Sequence, residues 1–278
     1  MLSILKTILP SVLKAGEEVL KIYNSPFSVS YKKKDDPLTQ ADLLANRIIS
    51  EAIHLNFPKD FILSEEEREL PNRDQFQNIW LIDPIDGTRE FVKKNDQFAI
   101  SVGLSVNGSA DLGIVLNPAT SELFLGIKDR GVTYSKSNNP DLSNWKRILE
   151  YTSLNIPPQC LVSNTEFEKN TYSDSFWKDE LKVITIGSIA YKLALVSAGR
   201  SDLCISLRPK SDWDIGAGVA LVLASGGVCQ TIVGAKEFDF SEPQTVKDGI
   251  LAGKRELIDS LLKKYSSKII SKFSDYEN

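Results

Sequence analysis

The chain has 278 residues, 42% hydrophobic and 25% charged, which is the composition of an ordinary globular protein and excludes a disordered, collagenous or low-complexity one. A chain of that length buries about three-quarters of its extended surface on folding, so its core needs no disulfide or metal staple, and two domains or one domain in two halves is expected. Its 33 basic and 37 acidic residues leave a net charge of −4, which argues against a surface built to hold nucleic acid polymers.

Leu2, Leu5, Leu9, Val12, Leu13, Gly16, Val19, Leu20 and Tyr23 recur at spacings of three and four, which predicts an amphipathic first helix with a kink at Pro10. No small-residue cleavage site closes an apolar run, so this is not an export signal. No apolar stretch approaches the roughly 18 residues of a membrane span, and a soluble protein with no membrane partner is expected. The basic stretch Tyr31-Lys-Lys-Lys-Asp-Asp-Pro reads as a solvated loop. Thr39-Gln-Ala-Asp42 has the [ST]-x-x-[DE] spacing of a helix start, and Ala41, Leu44, Ala45, Ile48, Ile49 and Ala52 carry that helix to about Asn56.

Pro58 ends the helix, and a short apolar run, Phe61-Ile-Leu, leads to Ser64 and three glutamates from Glu65. A second run, Ile79-Trp-Leu-Ile, stops at Asp83. From Ala99 to Ile127 an antiparallel meander is predicted, with turns at Asn107-Gly108 and Asn117-Pro118. Residues 128–158, rich in Ser, Asn and Pro, read as loop and supply the boundary between an N-terminal half, 1–150, and a C-terminal half, 151–278. In the second half, strands at Cys160-Leu-Val-Ser, Leu181 to Ile186, Asp202 to Leu207, Cys229 to Val233 and Gly249 to Ala252 alternate with helices. The helices run from Ser188 to Ala198, from Asp214 to Ser225 and onward from Lys254. The mixed order predicts a layered α/β or α+β fold.

Cys160, Cys204 and Cys229 are odd in number and widely spaced, which fits neither a disulfide framework nor a zinc cluster and points to a reducing, cytoplasmic setting. His54 is the single histidine, so a Ser-His-Asp or Cys-His relay would have to be built on it alone, on a helix with no nucleophile motif nearby.

Asp83-Pro-Ile-Asp-Gly-Thr88 is good turn chemistry, yet both aspartates fall at the C-terminal end of an apolar strand, where open α/β sheets place ligands. Gly87 and Thr88 lead into Arg89-Glu-Phe91, read as the first turn of a short helix whose free N–H groups attract an anion such as phosphate. Glu65 stands at the end of the preceding strand. Its cluster is either a solvated loop or, if the strand ends are adjacent, part of a group of acids tolerable only with cations between them. With oxygen ligands alone at hand, magnesium is the natural cation. Asp214 in Trp213-Asp-Ile-Gly-Ala-Gly218 either caps the following helix or coordinates metal, and its small residues permit close helix packing; Asp42 has the same ambiguity. Gly187-Ser188 is a second phosphate or substrate contact if helix starts converge.

LSEE at 63–66, DPIDGT at 83–88 and WDIGAG at 213–218, within a likeness running from Thr39 to Gly227, resemble the inositol monophosphatase superfamily of magnesium-dependent, lithium-sensitive phosphatases. The resemblance implies a layered αβαβα sandwich of the inositol monophosphatase and sugar phosphatase type. It also implies a homodimer, a small phosphorylated metabolite as substrate and an active site between the two halves. It assigns Glu65, Asp83, the Ile85 carbonyl, Asp86 and Asp214 to two magnesium ions, with Asp42 assisting a third through water. Glu65 and Thr88 would orient and deprotonate the attacking water, and Gly87 and Thr88 would hold phosphate oxygens. Asp86, Gly187, Ser188 and Asp214 would contact substrate. Such in-line attack needs no histidine.

Arg89-Glu-Phe91 and Ser64-Glu-Glu resemble bacterial 3'(2'),5'-bisphosphate nucleotidases more than inositol phosphatases, which implies adenosine 3',5'-bisphosphate as substrate, with inositol monophosphate the alternative. Arg89, Lys192 and Arg208 are either partners for a second phosphate or ordinary surface charges. A catalytically silent metal- and phosphate-binding regulator is the alternative of another class.

Overall fold

The computed structural model describes residues 1–33, 36–67, 72–136, 140, 142, 145, 155–169, 171–172, 175–243 and 246–277. Helix α1 (Leu2–Tyr23) is continuous through Pro10, and its spacing buries Leu5, Ile8, Leu9, Val12, Ala15 and Val19 on one face. The hairpin β1 (Val29–Lys33) and β2 (Asp36–Thr39) follows, then α2 (Gln40–Asn56). The charged stretch at 31–37, expected as a loop, is therefore mostly strand, paired antiparallel from Val29↔Thr39 to Lys33↔Asp36. Lys32 explains the difference, since its ammonium is held by Glu65 and Glu66, distant in sequence, and that tether replaces the apolar pattern a strand reading relies on.

A six-stranded sheet comes next, in the order β3 (Phe61–Ser64), β4 (Asn78–Asp86), β5 (Ala99–Val106), β6 (Ser109–Asn117), β7 (Glu122–Ile127) and β8 (Gly131–Ser135). β3 pairs parallel to β4 and the rest is the expected meander, with turns at 107–108 and 118–121. The short helix α3 (Thr88–Val92) lies between β4 and β5. Two expectations change here. β4 continues through Asp83 to Asp86, and β8 completes the sheet edge within a segment read as loop, where Val132 is buried and Tyr134 packs on Phe124. The boundary placed between residues 150 and 151 lies outside the described residues.

The second sheet runs β10 (Lys182–Thr185), β9 (Gln159–Val162), β11 (Leu203–Ser206), β15 (Ile250–Gly253), β13 (Val228–Gln230), with β9, β10 and β11 parallel. Between these strands lie α4 (Asn164–Glu168), α5 (Ser175–Glu180), α6 (Ile189–Ser197) and α7 (Asp212–Ala224). The small pair β12 (Lys210–Ser211) and β14 (Val246–Lys247) flanks α7, and α8 (Arg255–Glu277) closes the chain.

Alternation along the strands sorts the core into layers. In β4, Trp80 and Ile82 join a cluster with α1 and α2, while Ile79 and Leu81 join one with α6 and α7. In the second sheet, Leu161, Cys204 and Ala252 face α6 and α7, and Cys160, Leu203 and Leu251 face Trp177 of α5 and Leu261 and Phe273 of α8. The result is the expected αβαβα sandwich, with α6 and α7 as its central layer. Gly103, Gly113 and Gly126 stand in one row across β5, β6 and β7. A Cβ on Gly113 would fall 2.3 Å from the Ala217 carbonyl oxygen of α7, so this row lets the helix backbone touch the sheet. The small residues of α7 match it, since a Cβ on Gly216 would fall 2.3 Å from Leu81. All three cysteines are buried and free, and among the described residues no helix is long and apolar enough to cross a membrane.

Candidate active site

Adjacent strand ends begin the site. β3 and β4 reach Ser64↔Ile82, and the Glu65 N–H donates to the Ile82 carbonyl at 3.1 Å, which brings Glu65 and Asp83 side by side. The β4–β5 register slips between Asp83 and Asp86, a bulge of the kind that re-aims side chains at sheet edges. Within it, Asp83 Oδ1 accepts the Ile85 N–H at 3.0 Å and the Ile85 carbonyl accepts from Thr88 Oγ1 at 3.0 Å. Gly87 turns the chain into α3 at φ +93°, in the left-handed region, and a Cβ there would sit 3.1 Å from the Gln97 carbonyl oxygen.

Two capping boxes deliver the remaining acids. Asp42 Oδ2 accepts the Thr39 N–H at 2.8 Å and its hydroxyl at 2.6 Å, while Oδ1 lies 3.2 Å from Thr88 Oγ1, so Asp42, the third helical residue, completes the capping box of which Thr39 is the N-cap and supports the site from behind Thr88. At α7 the cap is Ser211, not Asp214. Asp214 is the third helical residue and its Oδ2 accepts the Ser211 N–H at 3.0 Å, while the buried pair Arg73–Asp212, at 2.8 Å, pins the same turn.

Asp86 is held from the C-terminal half. Its Oδ2 accepts Ser188 Oγ at 2.5 Å and the Ala190 N–H at 2.6 Å, and Ser188 Oγ in turn accepts the Tyr191 N–H at 2.9 Å. Ser188 is fully buried and outside the cavity lining, and its hydroxyl reaches the site through Asp86. Gly187 does face the cavity. Its N–H donates to Gln97 Oε1 at 3.0 Å, and a Cβ there would collide with Glu90 Cγ at 2.3 Å.

Glu65, Asp83, Ile85, Asp86, Thr88 and Asp214 line one cavity of about 360 Å³, which Gly87, Gly187, Arg89 and Lys192 also border. Burial, then repulsion from Glu65, Asp86 and Asp214, pushes the Asp83 carboxyl well above its ordinary range. Burial and the nearby Asp86 push Asp214 up to about 7. Burial raises Asp86 and Asp42 as well, against the hydrogen bonds that favour their charged forms.

This donor set is all oxygen and over-rich in negative charge, which fits a hard divalent cation such as magnesium. Among the described residues, no three His, Cys, Asp or Glu side chains are already gathered as a finished cage. The hydrogen bonds account for that, since Asp86 and Asp214 each commit one oxygen to chain donors and Glu65 leans 3.0 Å from Lys32 Nζ.

Of the cations singled out from sequence, Arg89 and Lys192 border the cavity and Arg208 does not; the Arg208 N–H is tied to Glu166 Oε1 at 3.1 Å. Lys192 is no surface charge. It is 1% exposed, donates to the Ile186 and Gly187 carbonyls at 2.9 and 3.1 Å, and burial lowers its pKa. His54 is exposed and does not line the cavity. Sequence reasoning missed Lys210, Glu90, Ser163 and Thr165 in the cavity wall, and Gln97 and Asn164 behind it. Ser163-Asn-Thr165 directly follows strand β9, and that strand-end signal was open to reading.

The inositol monophosphatase family model matches residues 2–275. The chain is 30% identical over 268 residues to the Nus factor SuhB of Escherichia coli K12, covering 90% of this chain and 95% of the relative. It is 31% identical over 224 residues to the 3'(2'),5'-bisphosphate nucleotidase CysQ of Buchnera aphidicola, covering 79% of this chain and 81% of the relative. The Thermotoga maritima IMPase shares the fold at a TM-score of 0.81 and 24% identity, with 98% of this chain and 99% of that one covered.

Proposed function

This chain belongs to the inositol monophosphatase family, and from that premise we propose that it is a magnesium-dependent phosphomonoesterase acting on adenosine 3',5'-bisphosphate. The observation that carries the reading is the convergence of Glu65, Asp83, Asp86 and Asp214 with the Ile85 carbonyl on one cavity, from strand ends and a helix start far apart in sequence. These residues would hold two ions, with Asp42 behind them beside Thr88 supporting a third. Magnesium bound there supplies the positive charge that acidifies a water and offsets the phosphate.

The chain's own residues do the rest. Thr88 Oγ1 borders the cavity with Asp42 Oδ1 and the Ile85 carbonyl as its acceptors, so as it takes a proton from water its own proton passes to the Asp42 carboxylate. Glu65, steadied by Lys32, orients the same water. The Gly87 turn and the N–H groups opening α3 hold phosphate oxygens. Ser188 and the Ala190 N–H fix one Asp86 oxygen and leave the other for the cavity.

Arg89 and Lys210 in the wall, and the likeness to CysQ, favour a doubly phosphorylated nucleotide over inositol monophosphate. Inositol monophosphate remains the second reading, because a cavity of about 360 Å³ also admits a singly phosphorylated polyol. A catalytically silent regulatory role has the intact acid set against it. The test compares phosphate release from adenosine 3',5'-bisphosphate, inositol phosphate, fructose bisphosphate and histidinol phosphate under the same magnesium. Preference for the first supports the proposal, and release from none overturns it.

A further inference from the structure

Asp86 belongs to the six-stranded sheet, yet the two donors that orient it, Ser188 Oγ and the Ala190 N–H, open α6 beyond the second sheet. A carboxylate held across two sheets is placed only as well as the sheets are held to each other. Gln97, two residues before β5, grips that helix start twice. Its side-chain Oε1 accepts the Gly187 N–H at 3.0 Å, and its backbone carbonyl accepts the Ser188 N–H at 3.1 Å. The same carbonyl oxygen lies against the turn that follows Asp86, where a Cβ on Gly87 would come within 3.1 Å of it.

A third donor closes the clasp. Asn164, the first residue of α4 after β9, donates from Nδ2 to Gln97 Oε1 at 3.0 Å and to Glu90 Oε1 of α3 at 3.3 Å. One side-chain oxygen of the first sheet thus serves donors from the segments that follow β9 and β10. A hydrocarbon of the same size would fill the space and leave both donors without their acceptor.

We propose that Gln97 is a positioning residue for Asp86: by holding Gly187 and Ser188 it sets where Ser188 Oγ and the Ala190 N–H meet the carboxylate. The inference rests on the phosphomonoesterase reading above, in which Asp86 is a magnesium ligand, and extends it to a residue outside the cavity lining. Gln97 acts through Ser188 and takes no part in the bond-breaking step.

The test is a double-variant cycle read on phosphate release and on magnesium affinity by calorimetry. Gln97→Leu, which keeps the bulk and removes the acceptor, lowers kcat about fivefold with little change in KM and weakens magnesium binding about fivefold. Ser188→Ala removes the bond through which Gln97 acts, so adding Gln97→Leu to it costs less than about twofold more in either quantity. A general loosening of the fold would instead lower the melting temperature and let the two losses multiply. Losses that multiply, or a Gln97→Leu protein with wild-type kcat and magnesium affinity, overturn the positioning role and leave the phosphatase standing. If Gln97→Leu does not fold, Gln97→Ala takes its place in the cycle. If the wild type releases phosphate from none of the esters compared above, the phosphatase reading fails and the calorimetric cycle alone decides. Losses of magnesium affinity that do not multiply then uphold the role of Gln97, whereas losses that multiply, no loss, or no magnesium binding in the wild type overturn it.

Discussion

Two groups of buried acids in this molecule are built on opposite principles. Glu122, 5% exposed at the start of β7, accepts from Thr120 and Tyr134 at 3.0 Å, from Arg200 at 2.5 Å and from the Tyr191 hydroxyl. Burial alone would raise its pKa, but those donors outweigh it and hold the carboxyl below its ordinary range. Asp83, Asp86 and Asp214 are buried among one another, and their carboxyls are pushed up. An acid whose donors come from the chain is structural, whereas acids whose charge the chain leaves uncompensated are waiting for something from solution.

Substitution at each pole should break the comparison in opposite ways. Asp83→Asn is expected to reduce phosphate release about a thousandfold by removing a charge from the cation site. In chelator, however, it melts no lower than wild type, because a repulsive charge has gone. Activity retained in this variant would contradict the site. Glu122→Gln is expected to lose about 1–2 kcal/mol of stability with or without magnesium, read by denaturant unfolding, since it removes the charge that the Tyr134 and Tyr191 hydroxyls donate to, while half-exposed Arg200 turns to water.

The pH dependences should have opposite signs. The Glu122 contribution is present above the unfolded carboxylate pKa of about 4.3 and is lost as pH falls through the lower folded value. The acid cluster, with raised folded pKa values, favours the metal-free fold in acid and loses that contribution as pH rises, through about 7 for Asp214. The melting-temperature gain on adding magnesium should therefore grow from mildly acid to neutral pH in wild type, and an increment that shrinks with pH would contradict it. Smaller effects sharpen the edges. Ser188→Ala, which frees Asp86, should lower kcat about tenfold with little change in KM. Thr39→Ala, which removes the α2 cap, should cost about 1 kcal/mol of stability.

Where a feature is local in the chain, it was legible. The turn signals Asn107-Gly108 and Asn117-Pro118, the apolar run ending at Ser64 and the Thr39 capping box all appear in the structure, whereas the strand read as stopping at Asp83 runs on to Asp86. The same [ST]-x-x-[DE] spacing makes Ser211 the N-cap of α7 and Asp214 its third residue, where the Trp213-Asp214 motif by itself points to Asp214 as the cap. What depends on distant partners was hidden. The hairpin at 31–37 is anchored by acids about thirty residues on, and Ser188 meets an Asp86 that lies 102 residues before it. The glycine row across β5, β6 and β7 has no meaning until the strands are in register. Lys192 was visible as a cation, but only the packing of α6 shows it spent on backbone carbonyls.

The central claim, that these crowded carboxylates form a divalent-cation site, is tested most directly by calorimetric titration of magnesium at neutral pH into wild type and Asp83→Asn, repeated in two buffers of different ionisation enthalpy. Saturable binding to wild type with release of protons from the raised carboxyls, weakened about a hundredfold or more in the variant, is the predicted result. Wild-type protein that shows no saturable magnesium binding, or a variant that binds as tightly as wild type, would contradict it.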